Sequence, residues 1–105
     1  MNFGNRRIEA SNLPELDSFA LGKIELALNL SFDKLQRIVN NEMLFHAHFK
    51  KHEREGKRAK HSVHLKLSIP GKTLVSSETG WNPVNVLQKA LGNLERETIR
   101  LVKRS

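Results

Sequence analysis

No cysteine occurs among the 105 residues, which removes a disulfide framework, a thiolate zinc site and a cysteine nucleophile together. Long apolar runs are missing too. The first seven residues, MNFGNRR, lack the apolar stretch that a secretory signal carries after its basic residues, so the cytoplasm is the expected setting. With 38% hydrophobic and 28% charged residues, the chain is too polar to span a membrane and too apolar to be wholly disordered. The three prolines and six glycines form no linker and no segment repeats, so residues 1–105 are expected to fold as a single domain around one modest core. A phosphate-cradling glycine loop, a nucleophile elbow and paired carboxylates in an apolar segment are all absent, and the acids mostly stand beside Lys or Arg, as on solvated faces. No catalytic residue, cofactor or small-molecule substrate is expected.

What the chain has is positive charge, unevenly placed. Residues 1–49 hold five Lys/Arg (6, 7, 23, 34, 37) against six acids (9, 15, 17, 25, 33, 42), a net of −1; residues 50–105 hold thirteen against five, a net of +8. Such one-sided charge favours a polyanion, because each phosphate neutralised by Lys or Arg releases a condensed counterion. Nucleic acid is the commonest such partner.

The hydrophobic pattern predicts an α+β domain of order β-α-β-β-β-α, an antiparallel-rich four-stranded sheet with two helices packed on one face. Residues 3–10 form a first strand, with Ile8 and Ala10 alternating against Arg7 and Glu9. From Pro14, Leu16, Phe19, Ala20, Ile24, Ala27 and Leu28 recur at helical steps; whether that helix continues past residues 29–33 to Leu35 and Ile38 is left open by the pattern. Residues 42–52 and 61–69 alternate with period two, placing Met43, Phe45, Ala47, Phe49, Val63, Leu65, Leu67 and Ile69 inward. The polar stretch 54–58 joins these strands as a hairpin, Pro70-Gly71 turns into a further strand over 73–78, and Asn82-Pro83 caps a final helix. That helix has an apolar stripe of Val84, Leu87, Leu91, Leu94, Thr98 and Leu101, widened by Ala90 and Val102, with Lys89, Arg96, Arg100, Lys103 and Arg104 off it.

Nucleic-acid contacts are expected first from KKHEREGKRAK at 50–60, with six Lys/Arg against two acids: Lys50, Lys51, His52, Arg54, Lys57, Arg58 and Lys60. A mobile basic hairpin tip can follow a phosphate backbone. His64 and Lys66 add the outward sheet face, and Lys89, Arg96, Arg100 and Lys103 the last helix. His46, His48, His52 and His64 share an outward face, but no carboxylate or cysteine stands with them in sequence to complete a metal's coordination, so RNA stacking and partial charge are the preferred reading and no metal is expected. Trp81, the sole tryptophan, reads as a cap over the core in preference to a stacking platform.

Residues 61–78 (HSVHLKLSIPGKTLVSSE) and 93–100 (NLERETIR) resemble the ribosome hibernation promoting factors and ribosome-associated inhibitors, also called sigma-54 modulation proteins, in their short form. Members show a strand, a Pro/Asn-Gly turn, a TLVA strand and a closing helix with a KLERQL run. The resemblance implies binding to the small ribosomal subunit near the decoding site, contact with ribosomal RNA and reversible arrest of translation. By the same resemblance Lys23 matches a basic position late in the first helix, and Arg96, Arg100 and Lys103 match basic positions in the last. Leu26 and Asn29 stand where members continue the basic series, and Asn82-Pro83-Val84 replaces a DMYAAID-like run; the 50–60 tip is the expected compensating contact. Two other readings are a double-stranded-RNA-binding-like domain, whose lysine cluster at the start of the last helix is replaced here by Asn82-Pro83-Val84-Asn85, and a basic protein-interaction module.

Overall fold

A computed structural model describes residues 1–56 and 58–103, without the side chains of residues 53–55. The order is β1 (Ile8–Ser11), α1 (Ser18–Val39), β2 (Leu44–Glu55), β3 (Arg58–Ile69), β4 (Lys72–Gly80) and α2 (Pro83–Lys103). The strands lie in the order β1-β2-β3-β4, with β1 parallel to β2 across the α1 crossover and the remaining pairs antiparallel. This is the α+β arrangement expected from the pattern. Among the described residues, no helix is long and apolar enough to cross a membrane.

Alternation places the core on one sheet face. Phe45, Ala47, Val63 and Leu67 are fully buried there, against Ile24, Leu28 and Leu35 of α1 and Leu87, Ala90 and Leu94 of α2. Each large aliphatic or aromatic side chain so buried contributes about 2 kcal/mol relative to exposure. Thr98, also fully buried, turns its hydroxyl back to donate to the Leu94 carbonyl at 2.8 Å, so the apolar stripe carries no unsatisfied polar group there. The helices are tied to each other by Glu95, which accepts from the Ser31 hydroxyl at 2.8 Å and pairs with Lys34 at 2.9 Å.

Three boundaries differ from expectation, and one that the pattern left open is decided. β1 has four residues, because the chain turns first: Arg6 N–H donates to the Phe3 carbonyl at 3.1 Å, Gly4 has φ of 61°, and the Arg6 guanidinium grips Asp33 of α1 through two bonds of 2.7 and 2.8 Å. That bidentate pair holds the Asp33 carboxyl below its usual pKa range. α1 begins at Ser18, where Asp17 accepts from the Ala20 N–H at 2.8 Å, which leaves residues 14–16 as an extended lead-in. It then runs unbroken through residues 29–33, since Asn29, Ser31 and Asp33 bond to Asn2, Glu95 and Arg6 outside the helix and do not compete for its backbone. Finally, the 54–58 connection is mostly strand: pairing continues to Glu55 and Arg58 around Gly56 at φ 61°, after a register shift between Lys51 and Arg54.

Two residues assigned to apolar stripes are exposed instead, Phe19 at 74% and Val102 at 42%. Both sit near helix ends.

Two glycines should respond oppositely to alanine. At Gly80 a Cβ would stand 2.9 Å from Cγ2 of buried Val86, whereas at Gly22, mid-α1, it meets nothing within 4 Å. Gly80→Ala is expected to destabilise by about 1–3 kcal/mol through overpacking. Gly22→Ala should stabilise by about 0.5–1 kcal/mol through helix propensity and unfolded-state entropy. Urea denaturation of the two variants checks both signs.

Candidate nucleic-acid interface

Trp81 stands between the last residue of β4 and the cap of α2. Asn82 accepts from the N–H groups of Val84 and Asn85 at 3.0 and 3.2 Å, and Gly80 closes against Val86, so the backbone on both sides of the indole is held. The ring does not close the core, contrary to expectation; it is 43% exposed. The reason is register. Gly80 pairs with His61, whereas the buried apolar series on β3 begins only at Val63. Trp81 therefore falls past the end of the buried layer and meets the hairpin's cations. The Arg58 guanidinium lies 4.5 Å from the ring centroid and the Lys60 ammonium 5.9 Å, both within cation–π range.

Three clefts meet at Asn82. The largest, about 450 Å³, is lined by Leu16, Lys51, Arg58, His61 and Trp81 among others; one of the smaller two by Phe19, Lys23 and residues 82–85, and the other by Trp81, Asn85 and Lys89. Exposed Phe19 carries Lys23 over its ring at 4.6 Å. The fold thus gathers Lys23, Lys51, Arg58, Lys60 and Lys89 around two exposed aromatic rings at one pole, although they are far apart in sequence. Sequence reasoning missed Phe19, though Lys23 four residues on is a helical cation–π spacing. It also missed His61, which was read only as the start of a strand.

The other predicted residues lie elsewhere. Arg96, Arg100 and Lys103 are exposed on the distal part of α2, with Lys103 roughly 20 Å beyond Lys89 along the helix axis at 1.5 Å per residue. Arg96 donates to the Asn93 side chain, and Arg100 pairs with Glu97 at 2.5 Å. The open face of the sheet, away from the helices, presents His46, His48, His64 and Lys66 along a groove of about 300 Å³. Its imidazoles are engaged by hydroxyls: Ser11 bonds His46 at 3.1 Å and His48 at 2.8 Å, and Ser77 bonds His64 at 2.8 Å. His52 bonds Ser62 at 2.5 Å, opposite exposed Lys50. Among the described residues no three His, Asp or Glu side chains converge to hold a metal. Lys57, Arg104 and the side chain of Arg54 lie outside the described residues.

The fold is similar to that of the Thermus thermophilus Protein Y N-terminal domain, with a TM-score of 0.62 over 90% of this chain and 93% of that one, at 19% identity. A ribosomal subunit interface protein from Coxiella burnetii matches with a TM-score of 0.42 and 13% identity over 93% and 92% of the two chains. No family model matches the sequence, and no curated protein does.

His61 gives this pole a pH signature. Its pKa is lowered below the usual 6.5, first by burial and then by the charges of Lys51 and His52. The folded state therefore binds fewer protons here than the unfolded state, so stability is full above pH 6.5 and falls as pH drops from there through the folded pKa. His61→Gln should reduce the loss of urea stability on crossing pH 6.5 downward, relative to the parent chain.

Proposed function

We propose that this chain binds the small ribosomal subunit near the decoding site through ribosomal RNA, and so reversibly inhibits translation or protects idle ribosomes in the cytoplasm. The observation that carries this reading is the gathering of Lys23, Lys51, Arg58, Lys60 and Lys89 around exposed Phe19 and Trp81. Fold alone does not determine function. Here, however, two observations point the same way: the architecture is similar to that of a Protein Y N-terminal domain, and HSVHLKLSIPGKTLVSSE and NLERETIR resemble the ribosome hibernation promoting factors.

The physics suits an RNA surface. Exposed cations spaced from the hairpin pole to the end of α2 can each neutralise a phosphate, and the rings can stack on bases that are not paired. The basic series that Leu26 and Asn29 interrupt on α1 is made up across space by the hairpin, whose Arg58 and Lys60 come to within reach of α2's first turn through Trp81. That Lys50, Lys51, Arg58 and Lys60 ride on strands and not on a free tip supports this use of the hairpin, because it lowers the entropy cost of placing them on a backbone. A double-stranded-RNA-binding mode finds less support, because the first turn of α2 presents Asn82, Pro83, Val84 and Asn85 in place of lysines.

Sucrose-gradient sedimentation tests the proposal. The parent chain is expected to travel with small subunits and whole ribosomes, and a Lys57→Glu, Arg58→Glu, Lys60→Glu variant to remain near the top of the gradient. The logarithmic salt dependence of binding should flatten by roughly 0.7–0.9 for each phosphate contact removed. Unchanged co-sedimentation of the variant would overturn the assignment of the hairpin, and salt-insensitive capture of an acidic protein after nuclease treatment would overturn RNA as the partner.

A further inference from the structure

We infer that the cleft between the β2–β3 hairpin and the start of α2 is a site for one unpaired nucleotide of RNA, its base stacked on Trp81 and its phosphate held by Lys51 and Arg58. This deepens the RNA-binding reading and rests on it.

An indole left 43% exposed in a chain with no other tryptophan is an apolar surface without a covering element. It stands on the wall of a cleft of about 450 Å³, a volume within the usual range for small-ligand sites. The ring's position is fixed from both sides, by the Gly80–Val86 contact and by the Asn82 cap, so little ordering is needed when a flat partner arrives. Arg58 already lies 4.5 Å from the ring centroid, so its charge stands beside the indole, where the phosphate of a nucleotide stacked there would come.

The remaining lining fits the other parts of a nucleotide. Lys51 and Arg58 bring positive charge for a phosphate. His61, with its pKa lowered by burial, offers a neutral imidazole that can both donate and accept at a base edge or a ribose hydroxyl. Glu15, from the segment before α1, lines the same cleft and disfavours a second phosphate while accepting from a hydroxyl or an exocyclic amine. An acidic peptide would leave the ring surface unused and would meet the Glu15 carboxylate. A paired base would not reach the indole, because its neighbours in the duplex cover both of its faces.

Trp81 is the only tryptophan and the chain has no tyrosine, so intrinsic emission reports this cleft alone. The full chain is titrated with single-stranded octaadenylate RNA, with a blunt duplex of the same length and with hexaglutamate, and affinity is measured separately with a labelled octaadenylate. The single strand should quench Trp81 saturably, and the other two should not. Trp81→Ala should weaken octaadenylate binding by roughly 5- to 150-fold, the range for loss of one stacked base, while Trp81→Phe retains most of it. Urea midpoints near the parent's confirm that both variants are folded; should Trp81→Ala not fold, quenching of the parent and the Lys51→Ala variant decide, the latter expected to bind several-fold more weakly. An emission that does not respond to bound octaadenylate, a Trp81→Ala variant that binds as tightly as the parent, or equal quenching by hexaglutamate overturns the inference. Sedimentation separates it from the reading above: ribosome association with a silent Trp81 overturns only the nucleotide site, and quenching by octaadenylate without ribosome association upholds the site and overturns the ribosome.

Discussion

The pairing register of β2 with β3 governs more of this molecule than any other interaction. Phe45 opposite Leu67, Ala47 opposite Leu65 and Phe49 opposite Val63 put the buried apolar residues of the two strands on the helix side. A slip of one residue would turn one strand over relative to the other, carrying His46 and His48 of β2, or His64 and Lys66 of β3, into the core and that strand's apolar set into water. Both helices depend on that apolar face, because neither has another surface on which to bury Ile24, Leu28, Leu87 and Leu94. The α1–α2 clamp at Glu95 and the Arg6–Asp33 grip then adjust elements whose place is already set by the sheet.

The same register produces the cationic pole. The β2–β3 ladder is longer than the helices can cover, so past Phe49 and Val63 the strands continue as a ribbon of exposed Lys50, Lys51, His52, Arg58 and Lys60. β4 ends against this uncovered part, at Gly80 opposite His61, and hands the chain to Trp81 at the point where the apolar layer has stopped. An aromatic ring at a layer's edge is free to take cations on its face. With Arg58 and Lys60 there, the ring stays in water yet is not idle.

Charge and core therefore occupy different parts of the chain. The core side is nearly free of charge, and its polar residues, Ser31 and Thr98, are satisfied locally or by Glu95. The cations stand outside the core, on the ribbon, the open sheet face and the solvent sides of both helices among other exposed places, where their mutual repulsion is screened. Such a division lets the surface be strongly basic without weakening the fold.

Period-two alternation in residues 42–52 and 61–69, the Pro70-Gly71 turn and the Asn82-Pro83 cap were legible in the sequence because each depends on neighbours a few residues away. So was the bias of charge toward residues 50–105. The extents of β1, α1 and the hairpin were not, since each is decided by a partner distant in the chain: Asp33 for Arg6, Glu95 for Ser31, and the strand ladder for residues 54–58. Trp81 shows the limit most clearly. Its position before a helix cap made burial the natural reading, yet whether a ring at such a place covers the core or stands beside it depends on where the facing strand's apolar series ends, and only the pairing of β3 with β4 decides that. Sequence by itself determined the elements, their inward faces and the sign of the charge, because these are properties of local order; tertiary structure alone decided that five cations and two aromatics from four elements and their junctions share one pole, because that neighbourhood is made by long-range contacts that no local pattern encodes.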